Sequence, residues 1–313
     1  MRISLGILTL VTALTAALAS PVAAAPGDLH PARLPRGDDP KIPYVVGSTV
    51  IDGKERIEID GHWALVLGRS GDALVVQTDR RVLRVTGDRQ RRIARLSDGA
   101  QVLLSEDGSD LVIGRIASRT GRTTVRVLDP ESGAERAREV FSKYVVPLGA
   151  RGGRVVMTAS APTRTFSWNH RTGDVRRIVG RSGGTVNVGA DRLGTLTGDP
   201  YNGGCYVVSS LRHPRRELWR SCEEGVMSFS PDGSRMVTMD ILADGLGPGR
   251  VWVRATDGGR LVARYSAYWF SSVQWETDRA LLLDTHTPKR WATLRCVAKD
   301  CERASRVRKQ DVT

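Results

Sequence analysis

Gly180-Arg181-Ser182-Gly183-Gly184 spells G-x-S-x-G, the spacing in which a serine on a strand-to-helix elbow becomes a nucleophile. That chemistry needs a helix after the serine, and here the motif falls in a link between strand groups with no helical pattern following it. The five histidines, His30, His62, His170, His213 and His286, stand apart, with no H-x-H or H-E-x-x-H pair to hold a catalytic zinc. Cys205, Cys222, Cys296 and Cys301 show no C-x-x-C spacing and no neighbouring histidine pair, which argues against a structural zinc. No nucleotide-binding glycine pattern lies between a strand and a helix. The motifs therefore assign no catalytic residue, no metal ligand and no cofactor.

The elements that must position these residues repeat along the chain. Six segments align: LGRSGDALVV from Leu67, LSEDGSDLVI from Leu104, LGARGGRVVM from Leu148, VGADRLGTLT from Val188, FSPDGSRMVT from Phe229 and WETDRALLLD from Trp275. Their starts are separated by 37, 44, 40, 41 and 46 residues. Each is an apolar strand end, a tight polar turn and a second apolar strand. Two residues before each start lies another apolar side chain: Leu65, Val102, Val146, Val186, Met227 and Val273. That period of two marks a strand with one packed face. Between the repeats, TTVRVLDPESGAERARE, RTFSWNHRTGDVRRIV and GRVWVRATDGGRLVARY each read as a further strand pair around a Gly-containing turn. Four antiparallel strands in roughly 42 residues is the size of a β-propeller blade. The expected fold is all-β: a propeller of about six four-stranded blades, with seven as the alternative.

Within such blades Cys205 and Cys222 bracket a hairpin centred on His213-Pro214, and Cys296 and Cys301 bracket the turn 297–300. Both pairings suit the short Cβ separation of a disulfide, and an even cysteine count suits an oxidising compartment.

The ends of the chain set the compartment. Arg2, the apolar stretch 3–19 and the small residues of Val22-Ala23-Ala24 read as a secretory signal cut after Ala24. The alternative, an N-terminal membrane anchor, asks for about 20 spanning residues, more than this stretch supplies. Residues 25–43, with five prolines, are expected to be a disordered linker. A hairpin at 44–59, turning at Asp52-Gly53, precedes the repeats at 60–308, with 309–313 a tail. The hairpin is expected to close the ring between first and last blades. The net charge of +13 is carried almost wholly by arginine, against six lysines. An exported basic protein favours anionic partners.

Ser230 to Gly233, the S-P-D-G of FSPDGSRMVT, resembles the repeat signature of TolB-type and WD-repeat-like propellers, and the S-E-D-G at 105–108 is a second copy. No copy carries the Trp-Asp dipeptide of eukaryotic WD repeats. The resemblance implies a propeller and a protein-interaction role, the nearest likeness being to exported bacterial propellers of unknown function.

In a propeller the loops joining second to third strands open on the same face as the links between blades. Here these loops, around 116–122, 158–164, 198–204, 240–250 and 284–290, carry Arg119, Arg122, Arg164, Tyr201, Asp240, Asp244, His286 and Arg290. They form the expected binding face, with the Gly-rich loop 240–250 the least constrained contact. The leading expectation is an exported, non-catalytic and monomeric binding or scaffold protein. Its partner would be a protein or an anionic envelope component rather than a specific nucleic acid. The alternative is a metal-dependent propeller hydrolase or lactonase. That reading requires Asp199, Asp240 and Asp284 to converge, yet no matching Asn or Glu set accompanies them.

Overall fold

The computed structural model describes residues 28–310 apart from Leu246, so the signal reading of residues 1–24 lies outside the described residues. Among these residues the chain forms seven antiparallel sheets and, beyond strands, only two short 3-10 helices. Five sheets have four strands each, at 65–95, 101–141, 145–179, 182–221 and 224–266, and a sixth has four strands at 269–303 with the short Arg308–Lys309 added beside the third. The seventh has three strands, at 44–58. We number the blades 1 to 7 from the N-terminus, so that blade 1 is the three-stranded sheet and blades 2 to 7 are the six repeats.

Seven blades, the alternative count, is the observed one, and the seventh comes from the segment expected to be a hairpin. Tyr44–Val46 does not run unbroken into Thr49–Asp52; the chain reverses between them and again before Glu55–Glu58. Gly47 supplies the extra turn, at φ +64°, a left-handed conformation that glycine adopts without steric cost. Blade 1 packs on blade 2, where Val50 and Ile57 join a core with Leu74 and Val76. A cavity of about 370 Å³ at the seam is lined by Tyr44 and Val45 of blade 1, Leu65 and Leu67 of blade 2, and Gln274 and Asp284 of blade 7.

Strand position within a blade explains the sequence pattern. The second strands are covered on both faces by neighbouring blades. They therefore read as continuous apolar runs, such as ALVV of Ala73–Thr78 and ALLL of Ala280–His286. The outermost strands are more exposed; Glu135–Phe141 alternates and has no fully buried residue. Cores form between blades, as where Val75 and Val82 of blade 2 pack with Leu111 and Ile113 of blade 3.

The S-x-D-G turns act as latches between blades. In the Ser105 copy the Ser105 hydroxyl donates to Asp107 (2.7 Å) and accepts from the Asp110 amide (2.9 Å). Asp107 Oδ2 accepts from the Gly152 amide of blade 4 (2.8 Å). Burial opposes ionisation of Asp107, but these hydrogen bonds outweigh it and hold the carboxyl well below the ordinary range. The Ser230 copy repeats the design: Ser230 donates to Asp232 (2.6 Å), and the Asp232 amide reaches Asp278 of blade 7 (2.8 Å).

Residues 28–43 are not the disordered linker the prolines suggested. They dock on blade 7 through a 3-10 turn at Pro31–Arg33 and a parallel bridge between Arg36 and Arg303. Leu29 is buried beside Tyr265 and Phe270. Proline removes a backbone donor, but a segment lying along a sheet edge needs few. The tail begins later than 309: Arg308–Lys309 pairs with Arg290–Val297, and the Gln310 amide bonds Lys289.

Both expected disulfides are present. Cys205 and Cys222 close at a Cα separation of 4.0 Å, one step beyond the register pair Tyr206 and Ser221. Cys296 and Cys301 are direct cross-strand partners at 4.2 Å.

Candidate functional site

Each four-stranded blade begins at the face where the preceding link arrives, and its second-to-third loop returns there. Arg119, Arg122, Arg164, Tyr201, Asp240, Asp244, His286 and Arg290 therefore share one face, in different states of availability. Arg119 and Arg122 are exposed on the tight loop in which the Ala117 amide bonds the Arg122 carbonyl. Arg164 is drawn inward, its guanidinium 4.9 Å from the centre of the Phe166 ring. Tyr201 stands on a short 3-10 turn and is 71% exposed. Asp240 and Asp244 are exposed, and Arg290 is exposed at the start of its strand.

The loop 240–250 is tied down more than its glycines suggested. Asp240 accepts from the Leu242 amide (2.8 Å), and Pro248 accepts from the Phe270 amide (2.9 Å). A Cβ on Gly247 would lie 2.3 Å from the Phe270 carbonyl oxygen, so this close approach requires glycine.

His286 is not a surface contact. Its ring is buried between Trp269 (3.9 Å between centroids) and Trp291 (5.6 Å), with the Arg308 guanidinium over the outer face of Trp291. Its Nε2 lies 2.7 Å from the Ser271 hydroxyl, and its Nδ1 lies 3.3 Å from Gln310 Oε1. Burial lowers the His286 pKa below the ordinary histidine value, against the raising effects of Gln310 and Asp284. The neutral ring satisfies both nitrogens locally and braces the end of blade 7.

The three carboxylates of the metal reading do not converge. Asp199 caps its own turn, accepting from the Tyr201 amide (3.1 Å) and the Asn202 side chain (2.7 Å). Asp240 caps its loop. Asp284 faces the seam cavity, accepts from Thr293 (2.6 Å), and has its carboxyl raised above the usual range by burial. Among the described residues no three His, Cys, Asp or Glu side chains cluster as ligands.

Sequence reasoning named Tyr201 on this face but not the other exposed aromatic side chains. The exposed aromatic side chains among the described residues are Trp63 (40%), Tyr144 (46%), Tyr201 and Tyr268 (65%). All lie on this face: Trp63, Tyr144 and Tyr268 in links between blades, Tyr201 in a second-to-third loop. The signal was available. Each of these three link aromatics sits one or two residues before an inner strand, where a buried strand start needs no large ring.

No family model matches the chain, and no curated protein matches it in sequence. Its likenesses are to solved structures. The β-propeller domain of the Trilobed protease from Pyrococcus furiosus, described as having an open velcro topology, aligns with a TM-score of 0.61. Identity is 11%, over 82% of this chain and 86% of that one. Hsv2 from Kluyveromyces marxianus aligns at 0.53, with 10% identity over 86% and 93%. An oligogalacturonate lyase in complex with manganese aligns at 0.51, with 16% identity over 73% and 74%. At these identities the likeness is one of fold, and it agrees with the β-propeller expected from the S-x-D-G turns. In this chain every described sheet is built from strands consecutive in sequence, and the N-terminal segment adds to blade 7 only the isolated Arg36–Arg303 bridge.

Proposed function

We propose that the protein is an exported, non-catalytic propeller that binds a protein partner through the face bearing Trp63, Tyr144, Tyr201 and Tyr268, with Arg119, Arg122 and Arg290 as charged contacts. The observation that carries this reading is the confinement of the exposed aromatic side chains to one face of the ring. Tyrosine, tryptophan and arginine are the residues that concentrate binding energy at protein interfaces. Their cost is otherwise hard to account for, because a link between blades needs only polar residues. The rigid blades beneath hold the rings in fixed relative positions, which lowers the ordering cost of binding.

Export is supported by the signal reading of residues 1–24 and by two disulfides, which persist in oxidising compartments. The arginines favour an acidic partner, and attraction between exposed charges falls as salt rises, being screened over about 8 Å at physiological ionic strength. The test is binding to envelope fractions of the source cell. Changing the four aromatic residues to Ser is expected to weaken binding at least tenfold, and changing the three arginines to Ser to reduce its salt dependence. Unchanged binding in the aromatic variant would place the contact elsewhere.

A further inference from the structure

On the opposite face, where blades 4 and 5 meet near the rim, a recess of about 500 Å³ is lined by four arginines. Arg154 begins the second strand of blade 4, Arg176 and Arg177 lie on its outermost strand, and Arg212 comes from the hairpin after Tyr206–Ser210 of blade 5. Ile178 and Leu211 give the recess apolar walls.

The balance of charge there is one-sided. Arg212 Nε reaches Asp191 at 3.6 Å, but that carboxylate already accepts from the Ser210 hydroxyl (2.5 Å) and the Arg212 amide (2.8 Å). Asp174, also at the recess, accepts from Thr172 (2.8 Å). Among the described residues Arg154, Arg176 and Arg177 have no carboxylate within 4.0 Å. Arginines that do meet a carboxylate show what is missing here, as Arg126 and Arg138 pair with Glu135 and Arg254 with Glu224. Burial lowers the Arg154 pKa, and although Asp191 opposes this, Arg212 and Arg176 depress it further. Arg154 is half-buried while Arg176, Arg177 and Arg212 are exposed around it; like charges held this close repel one another, and a bound anion removes that repulsion. The guanidinium fork suits tetrahedral oxyanions, which it grips through two parallel N–H bonds.

We propose that this recess is a binding site for a phosphorylated ligand carrying more than one negative charge, of the pyrophosphate class. Four guanidinium groups against the carboxylates of Asp174 and Asp191 leave an excess of two positive charges, more than a single monovalent anion can neutralise, and the volume falls within the ordinary range of small-ligand sites, roughly 300–1,000 Å³. The site is separate from the aromatic face and stands or falls independently of it.

The experiment is calorimetric titration of the disulfide-bonded protein with pyrophosphate and with inorganic phosphate. It is repeated for Arg154→Gln/Arg176→Gln and for a control of equal charge loss, Arg56→Gln/Arg89→Gln. Circular dichroism checks that each variant folds, and Arg154→Lys keeps the charge while losing the fork. Saturable binding is expected, at least tenfold tighter for pyrophosphate than for phosphate. It should be weakened tenfold or more by the recess variant, less by Arg154→Lys, and little by the control. A vesicle arm separates the sources. Pyrophosphate competing against anionic phospholipid vesicles would identify a headgroup phosphate; pyrophosphate binding with no vesicle binding would identify a free or polymer-borne one. Absence of saturable pyrophosphate binding, or equal weakening by the recess and control variants, would overturn the proposal.

Discussion

Arg295 holds Glu276 in a buried two-point pair, donating through Nε (2.6 Å) and Nη2 (2.8 Å) to the two carboxylate oxygens. The same guanidinium donates to the carbonyls of Asp38 (3.1 Å) and Asp39 (2.8 Å), and Glu276 accepts from the Lys41 amide (2.7 Å). One ion pair inside blade 7 thus fastens the segment that leads to blade 1. Among the described residues the N-terminal segment adds no named strand to blade 7, only the Arg36–Arg303 bridge, so this fastening takes the place of a closing strand.

Removing one partner leaves the other charge buried, so Arg295→Met is expected to destabilise the fold by about 3 kcal/mol or more. Burial would raise the Glu276 carboxyl, but the Arg295 fork and the Lys41 amide outweigh it and hold the pKa below the ordinary value. The stabilisation is therefore complete above the unfolded glutamate value of about 4.3 and is lost as pH falls through the lower folded value. Urea melts at pH 7 and pH 3 should show the gap between wild type and Glu276→Gln shrinking at the acid end. A gap independent of pH would contradict the assignment.

The latch turns make a second prediction. Gly108 sits at φ +67°, and a Cβ there would lie 2.2 Å from the Arg69 carbonyl oxygen of blade 2. Gly47 has a similar φ of +64° but open space around it. Gly47→Ala should therefore cost only the backbone strain, about 1 kcal/mol. Gly108→Ala adds a backbone clash and should cost more than twice as much in chemical denaturation. Equal costs would mean that the approach of blades 2 and 3 is not what demands glycine.

The two disulfides should differ in effect. In the chain-entropy picture the 17-residue separation of Cys205 and Cys222 contributes about 3 kcal/mol, and the five-residue separation of Cys296 and Cys301 about 2 kcal/mol. Peptide mapping without reduction should recover both pairs. Cys205→Ser/Cys222→Ser should lower the melting temperature more than Cys296→Ser/Cys301→Ser. A Cys222–Cys296 cross-link in the exported protein would contradict the fold of blades 5 and 7.

The repeat was legible because the same physical demand recurs six times. A second strand covered on both sides must be apolar along its length, and ALVV, LVIG and VVM all show it. The cysteine pairs were legible because each brackets its own hairpin. The count of blades was harder to read: YVVGSTVI looks like one strand until Gly47 turns, and blade 1 lacks the latch motif. The docking of residues 28–43 was hidden because its anchors are backbone carbonyls gripped by Arg295, a residue some 250 positions away. His286 was misplaced for a related reason. Its loop position pointed to exposure, whereas burial depends on Trp269 and Trp291 from neighbouring strands.

The docking face is tested most directly by comparing two sets of substitutions that remove exposed apolar side chains from opposite faces. One changes Trp63, Tyr144, Tyr201 and Tyr268 to Ser; the other changes Val175, Leu261 and Val297, exposed at the far ends of the blades, to Ser. Sedimentation of each purified protein with envelope fractions of the source cell gives the affinity. Loss of binding by tenfold or more in the aromatic variant, with binding retained in the other, is the predicted result. Equal affinity of both variants with wild type, or loss only when the far face is changed, would contradict it.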